Sequence, residues 1–411
     1  MDLFSKLFKG FREEKKGKIA KAWEFVADDT ITTPPAANKE GSLIVFGTKS
    51  GKIYALNQDG KKIWDYTSKK ELGKEQLFFL DEEKFKQISA KPVIADMENR
   101  DDIIIGSEVG NIFMLNSNGR LKWNFLAQDA IKASALVADI NNDGNKEIVF
   151  GSNDGYIYTL NAKGKLVWKI KLKSGIEASP AFLKSKRNQI IVGSNDGTIY
   201  SLDKNGNLLW EFKTNGKITA QPATAEINNQ MVIIIGSQDN NLYALDENGG
   251  LMWNYPTKGK IFSKAVIADI NHDMKPEILV GSCDDKLHVI SGRGTRIWDY
   301  ETGFWVVAPP LAMDIDNNRM LEIVIGSYDG SIYVLDGTSN FALDYVPGIS
   351  SITQQSGHYF DVIQKEPGNY YGKLLHKFSV QAQIIGAEIL ENEKGILIAT
   401  NTKKLDKLIY I

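Results

Sequence analysis

Apolar residues along this chain fall in short blocks separated by Gly, Asn, Asp and Lys, and the blocks repeat. The stretch EIVFGSNDGYIYTLNAKGKLVWKI, from Glu147 to Ile170, shows the unit. EIVFG is a continuous apolar run, the pattern of a buried central strand. Ser-Asn-Asp-Gly predicts a tight hairpin turn, because Asn, Asp and Gly accept the positive φ that such a turn demands. YIYTLN alternates as a half-buried strand does, AKG turns again, and KLVWKI carries a tryptophan. A further apolar stretch precedes each unit and predicts a fourth strand: IKASALVAD from Ile131, IEASPAFLK from Ile176, ITAQPATAE from Ile218, IFSKAVIAD from Ile261 and VVAPPLAMD from Val306.

Two intervals measure the repeat. Gly151 precedes Trp168 by 17 positions, and the same interval separates Gly47 from Trp64, Gly106 from Trp123, Gly193 from Trp210, Gly236 from Trp253 and Gly281 from Trp298. By this interval a seventh copy runs from Gly326 to Leu343, with leucine in the tryptophan place. From Gly106 onward the glycine-to-glycine steps are 45, 42, 43, 45 and 45. A period of about 40–45 residues is that of one four-stranded propeller blade. The second interval runs from each tryptophan to the first residue of the next inner strand and is 8 positions, as in Trp123 to Ile131 and Trp298 to Val306. Trp23 lies 8 before Ile31 with no glycine strand ahead of it. At the other end, VQAQIIGAE (Val380–Glu388) and the segment Gly395–Ile411 supply three strands of a blade and stop. The fold class is therefore all-β: eight four-stranded antiparallel blades, the last completed by the N-terminal strand around Trp23. Such closure removes a free sheet edge.

The pattern GSxDGxIYxLxxxGxxxW resembles the repeat of pyrroloquinoline-quinone-type eight-bladed propellers. That group includes quinoprotein dehydrogenases and the lipoprotein of the bacterial outer-membrane assembly machine. The resemblance spans residues 20–411 and implies the fold; one fold hosts many functions, so it implies no single activity. A quinoprotein dehydrogenase would bring an adjacent cysteine pair and a calcium, whereas Cys283 is the one cysteine here. The tryptophans read as structural, one ring per blade packed between neighbours, with truncation costing about 3–5 kcal/mol.

Composition narrows the rest. With 49 basic and 51 acidic residues the net charge is −2, so bulk electrostatics give no reason to expect a nucleic-acid partner. The first residues hold neither a long apolar run nor a small-residue cleavage site, and the chain is expected in the cytoplasm, with a peripheral membrane association as the variant. Residues 1–17 form a separate amphipathic segment: Phe4, Leu7, Phe8 and Phe11 share a helical face among Lys6, Lys9, Arg12, Lys15 and Lys16. It reads either as a helix docked on the propeller or as an interfacial helix for an anionic membrane or partner groove. Residues 18–411 form the single propeller, with insertions at about 67–87 and 346–379. The first includes Leu77, Phe78, Leu80 and Phe85, which predict a short amphipathic turn or helix. The second carries His358 and His376, a sparse signal for a metal site, among aromatic residues. Both insertions are expected on the face that carries the Ser-x-Asp-Gly turns.

Candidate chemistry is sparse. Three turns on the opposite face carry alternating oxygen donors with a glutamate at the ninth place: Asp139, Asn141, Asp143 and Glu147; Asp269, Asn271, Asp273 and Glu277; Asp314, Asp316, Asn318 and Glu322. Such spacing suits a structural calcium, since hard cations take six to eight oxygens. It equally suits Asp and Asn side chains capping their own backbone. Innermost strands line a propeller's axis, and the polar residues Lys91, Lys132, Glu177, Gln221, Lys264 and Gln383 are expected there. They would line either a water-filled tunnel or a site for a small anionic or polar ligand. No nucleophile–base set stands out and no other cofactor is implied. The leading function is a non-catalytic scaffold binding a protein or peptide through the face of the two insertions. The alternatives are a membrane-associated assembly factor acting through residues 1–17 and a propeller enzyme acting on polysaccharide, which needs paired carboxylates.

Overall fold

The computed structural model describes residues 18–67, 87–97, 100–338, 372–390 and 395–411. Every regular element among them is a strand, grouped into eight antiparallel four-stranded sheets. Blade 3 is representative: Leu136–Ala138, Glu147–Gly151, Tyr156–Leu160 and Leu166–Lys171 pair in sequence order from the axis outward. The second strand is buried along its whole length, as an apolar run between two neighbouring blades must be. Eight apolar clusters fill the eight blade–blade interfaces, including one between the last blade and the first.

The ring closes as expected. Ile19–Val26 pairs antiparallel with Lys404–Tyr410, and Ile384–Leu390 and Gly395–Thr400 complete that blade. Lys18 and Ile411 exchange backbone hydrogen bonds beyond the strand ends. Trp23 thus sits beside the strand that ends the chain.

One contact spans the two sequence intervals together. The glycine ending each second strand faces the first residue of the next blade's inner segment: Gly106 meets Ile131, Gly151 meets Ile176 and Gly193 meets Ile218. A Cβ on any of these glycines would collide with the isoleucine side chain, so the two positions are fixed to one another. The inner segments then run outside the strand ladder for several residues, whether the residue ahead of the first strand is proline, as at Pro92, Pro180, Pro222 and Pro310, or alanine, as at Ala135 and Ala265.

Each tryptophan joins its blade to the next. Trp168 lies on the face of Gly206, which has φ +81°, and its Nε1 donates to the Lys204 carbonyl at 2.9 Å. Trp23, Trp64, Trp123, Trp210 and Trp253 repeat this arrangement on Gly60, Gly119, Gly164, Gly249 and Gly294. These rings are half-buried at the rim, whereas Trp298 is fully buried.

Blade 7 corrects the sequence reading. Its outermost strand is Leu374–Ser379, within what was expected to be the second insertion. His376, opposite Val334, holds the tryptophan place; Leu343 does not. Gly372 supplies the turn glycine against Trp298. The inserted residues therefore leave between the third and fourth strands of blade 7, from Thr338 to Gly372. Strand alternation puts that departure on the face of the acidic turns. The first insertion joins Thr67 to Gln87 between blades and leaves on the Ser-x-Asp-Gly face. The described residues that flank the two insertions lie on opposite faces, because moving one strand from before an insertion to after it reverses the end at which the chain departs. Residues 68–86 and 339–371, with His358, lie outside the described residues, as does the amphipathic segment 1–17.

The same shift corrects blade 8. Ile384, not Val380, meets Gly326 and is the counterpart of Ile131. Gln383 consequently sits in the loop before the inner strand, where its side chain and carbonyl accept hydrogen bonds from Asn401 at 2.9 Å. It is not in register with the channel-lining residues.

Candidate functional site: two faces and a polar axis

Along each inner segment the first and third positions are buried and the second and fourth are open, as in Ile131, Lys132, Ala133 and Ser134. Charges from separate blades meet there. Lys91 of blade 2 pairs with Glu388 of blade 8. Lys132 and Glu177, on neighbouring blades, pair at 3.3 Å. Gln221 donates to the Pro180 carbonyl at 3.3 Å. Lys264 has no hydrogen-bond or ion-pair partner among the described residues. Surrounding protein holds its ammonium below the ordinary lysine range, and the charge of Lys91 lowers it further. Glu388 was not among the expected residues: it stands fifth from Ile384, beyond the register shift between Ile384 and Gly386, and the repeat interval does not mark it.

The acidic turns share one geometry. In blade 3 both carboxylate oxygens of Asp139 accept backbone hydrogen bonds, from Asp143 at 3.1 Å and Gly144 at 2.9 Å, and Glu147 accepts from Ile140 at 3.2 Å. Blade 6 repeats this with Asp269 accepting from Asp273 and Met274, and Glu277 accepting from Ile270 at 3.1 Å. Asn141 and Asn271 donate to Glu147 and Glu277. In blade 7 Asp314 accepts from Asn318 and Arg319, and Glu322 from Ile315 at 2.8 Å. Gly144, Met274 and Arg319 all adopt positive φ, so the turn forms with or without glycine. Carboxylate oxygens of Asp314, Asp316 and Glu322 lie within 4.8 Å of one another, close enough to share a divalent cation. Burial, reinforced by the neighbouring aspartates, raises Glu147 and pushes Glu277 and Glu322 up to about 7.

On the Ser-x-Asp-Gly face the turn aspartates are engaged by tyrosines of the following strand: Tyr158 with Asp154 at 2.7 Å, Tyr243 with Asp239 at 2.8 Å, and Tyr333 with Asp329. In blade 6 His288 takes the tyrosine place and contacts Asp284 at 3.1 Å and Tyr255 at 3.3 Å. This His–Asp pair is the blade 6 version of a structural pair. Cys283 beside it is pushed up to about 11, first by burial and then by Asp284, the reverse of an activated thiol.

Aromatic residues break the repeat on this face. The loop leading into an inner segment ends in small or polar pairs elsewhere: Asp129-Ala130, Ser174-Gly175, Gly216-Lys217 and Gly259-Lys260. Between blades 6 and 7 it ends in Phe304-Trp305. These rings stack at 4.9 Å and 16° and stay 41% and 40% exposed. Tyr328 lies 6.4 Å from Trp305, in the turn position that holds Lys49, Glu108, Asn153, Asn195 or Gln238 in other blades. The departure is legible in the aligned repeats, but it was not among the expected site residues.

An eight-bladed propeller with PQQ-like repeats is thus the class of protein this chain represents. The family model for outer membrane protein assembly factor BamB matches residues 14–140 and 110–273, more than half the sequence, and the chain belongs to that family. The model for the lambda-carrageenase beta-propeller domain matches residues 244–342. Among solved structures, BamB from Moraxella catarrhalis is similar at a TM-score of 0.65 and 14% identity, over 95% of this chain and 99% of that one. The C-terminal WD40 domain of Sif2 is similar at a TM-score of 0.65 and 13% identity, over 95% of this chain and 98% of that one. These likenesses bear on the fold. No curated protein matches the chain.

Proposed function

We propose that this chain is a non-catalytic scaffold that binds a protein partner across its Ser-x-Asp-Gly face. The observation that carries the reading is the stacked, open Phe304–Trp305 pair on a face built mostly, among the described residues, of small polar turns. Function concentrates on loops held by a rigid frame, and large aromatic rings are the usual anchors of protein interfaces. The assembly-factor description of the family supports a protein-binding role, as does the likeness to a WD40 domain. The absence of catalysis is part of the proposal, supported by the raised thiol of Cys283 and the structural engagement of His288. The test is photo-crosslinking of the full chain with benzoylphenylalanine placed at Trp305, at Leu209 on the rim or at Asn145 on the opposite face. A partner captured only from position 305 supports the reading. Capture only from position 145 assigns the work to the other face and overturns it.

A second reading concerns a structural divalent cation, calcium by donor chemistry, at the blade 7 turn. The convergence of Asp314, Asp316 and Glu322 favours that turn over the two with asparagine at the third place. A melting temperature that is the same in excess calcium and in chelator removes it.

A further inference from the structure

We infer that the aromatic sector of blades 6 and 7 is a docking groove for an extended acidic segment of a partner protein, anchored by one large apolar side chain. The inference rests on the scaffold reading above and adds the partner's chemistry.

Departures from the repeat gather in one sector. Phe262, second in its inner segment and 37% exposed, stands where other blades hold Thr32, Ser89, Lys132, Glu177 or Thr219. Cys283 and Tyr328 replace polar residues at the tips of successive turns. The Trp305 carbonyl accepts from the Tyr328 N–H at 2.9 Å, and the Lys260 carbonyl accepts from the Cys283 N–H at 2.9 Å. Each loop is thus tied to the turn of its own blade by the bond that recurs around the ring, as where Asn153 donates to the Ala130 carbonyl. A rigid shelf of rings results, at little entropic cost to a ligand.

Charge selects the occupant. Lys258 and Lys260, on the loop beside this shelf, are exposed and have no ion-pair partner among the described residues. The carboxylates of these turns lie deeper than the lysines: Asp284 and Asp329 side chains are 7% and 16% exposed, and Asp285 Oδ1 is buried without a hydrogen-bond partner among the described residues. Asp284 accepts from the Lys258 N–H and contacts His288, and Asp329 holds Tyr333 and the Gly303 N–H. The surface thus presents two unpaired ammonium groups next to open aromatic rings, which matches carboxylates flanking an apolar anchor. A basic segment would meet repulsion, and a purely polar one would leave the rings uncovered.

The test uses the full chain and three fluorescein-labelled twelve-residue peptides: one acidic with a central tryptophan, one acidic with serine in its place, and one lysine-rich with the tryptophan. Anisotropy should show binding of the first alone. Phe304→Ser with Trp305→Ser should weaken it at least tenfold. Lys258→Glu with Lys260→Glu should weaken it similarly and admit the lysine-rich peptide. Both pairs lie on exposed loops, and unchanged melting curves confirm that the variants fold. Equal binding of all three peptides, or unchanged affinity in both variants, overturns the inference. So does binding of phosphatidylglycerol vesicles or a sulfated polysaccharide through Phe304 and Trp305 with no peptide bound. A partner crosslinked at position 305 without peptide preference leaves the scaffold reading standing and removes only the partner chemistry; no crosslink from any position removes the scaffold reading itself.

Discussion

Glu322 gives the sharpest quantitative expectation. Its side chain is 3% exposed, its Oε2 accepts from the Ile315 N–H at 2.8 Å, and Asp314 and Asp316 stand beside it. Burial, then those charges, push it up to about 7 from the ordinary 4.5. A folded-state value above the unfolded one means that the protonated form stabilises the fold. That contribution is complete below pH 4.5 and is lost as pH rises through 7. The difference of about 2.5 units corresponds to roughly 3 kcal/mol at pH 8, at about 1.4 kcal/mol per unit. Glu322→Gln keeps an oxygen for Ile315, cannot ionise, and offers an amide to the two aspartates. In chelator at pH 8 the variant should therefore exceed the wild type by up to about 3 kcal/mol. With an unfolding entropy of about 2.1 cal/mol/K per residue, that is a melting shift of roughly 3–4 °C. Near pH 4.5 the two should coincide. Calorimetry across pH 4.5–8 checks this. Parallel pH slopes for the two proteins, or a variant less stable than wild type at pH 8 in chelator, refute the reasoning. Calcium separates the second reading: a bound ion would stabilise the wild type at pH 8 and do so less in the variant.

Other outcomes follow from the packing. Gly206→Ala forces an L-residue to φ +81° and puts a Cβ 2.7 Å from Trp168 Cε3, so it should cost about 2 kcal/mol or more in denaturant unfolding. Trp168→Ala removes the same contact and the bond to Lys204. Because the ring is half-buried, its cost should fall at or below the lower end of the 3–5 kcal/mol expected for a core aromatic. Deleting residues 1–26 strips the strand from Lys404–Tyr410 and opens a sheet edge, so light scattering should report association; deleting residues 1–15 should leave the melting curve unchanged. Sedimentation with anionic liposomes tests the membrane reading of residues 1–17, and equal binding by the truncated chain removes it.

The sequence by itself determined the ring. Spacing between strands adjacent in the chain is local, and the contact of a second-strand glycine with the next isoleucine recurs across the sum of the two intervals. Eight blades and closure through Trp23 followed from counting. Blade 7 shows where counting failed. Leu343 satisfies the 17-position interval from Gly326, whereas His376 satisfies the 8-position interval to Ile384, and Ile384 follows Gly326 by 58 positions where uninterrupted blades need 25. Only the hydrogen-bond register, with His376 opposite Val334, chose between them. That choice moved the departure point of one insertion to the other face and took Gln383 out of the channel. Tertiary structure alone also brought Lys91 to Glu388, 297 positions apart, because meetings across the axis depend on the closed ring and leave no interval to count. The aromatic sector stands between these cases: each departure is written in the sequence, but that Phe304, Trp305 and Tyr328 share one shelf is decided by how neighbouring blades pack.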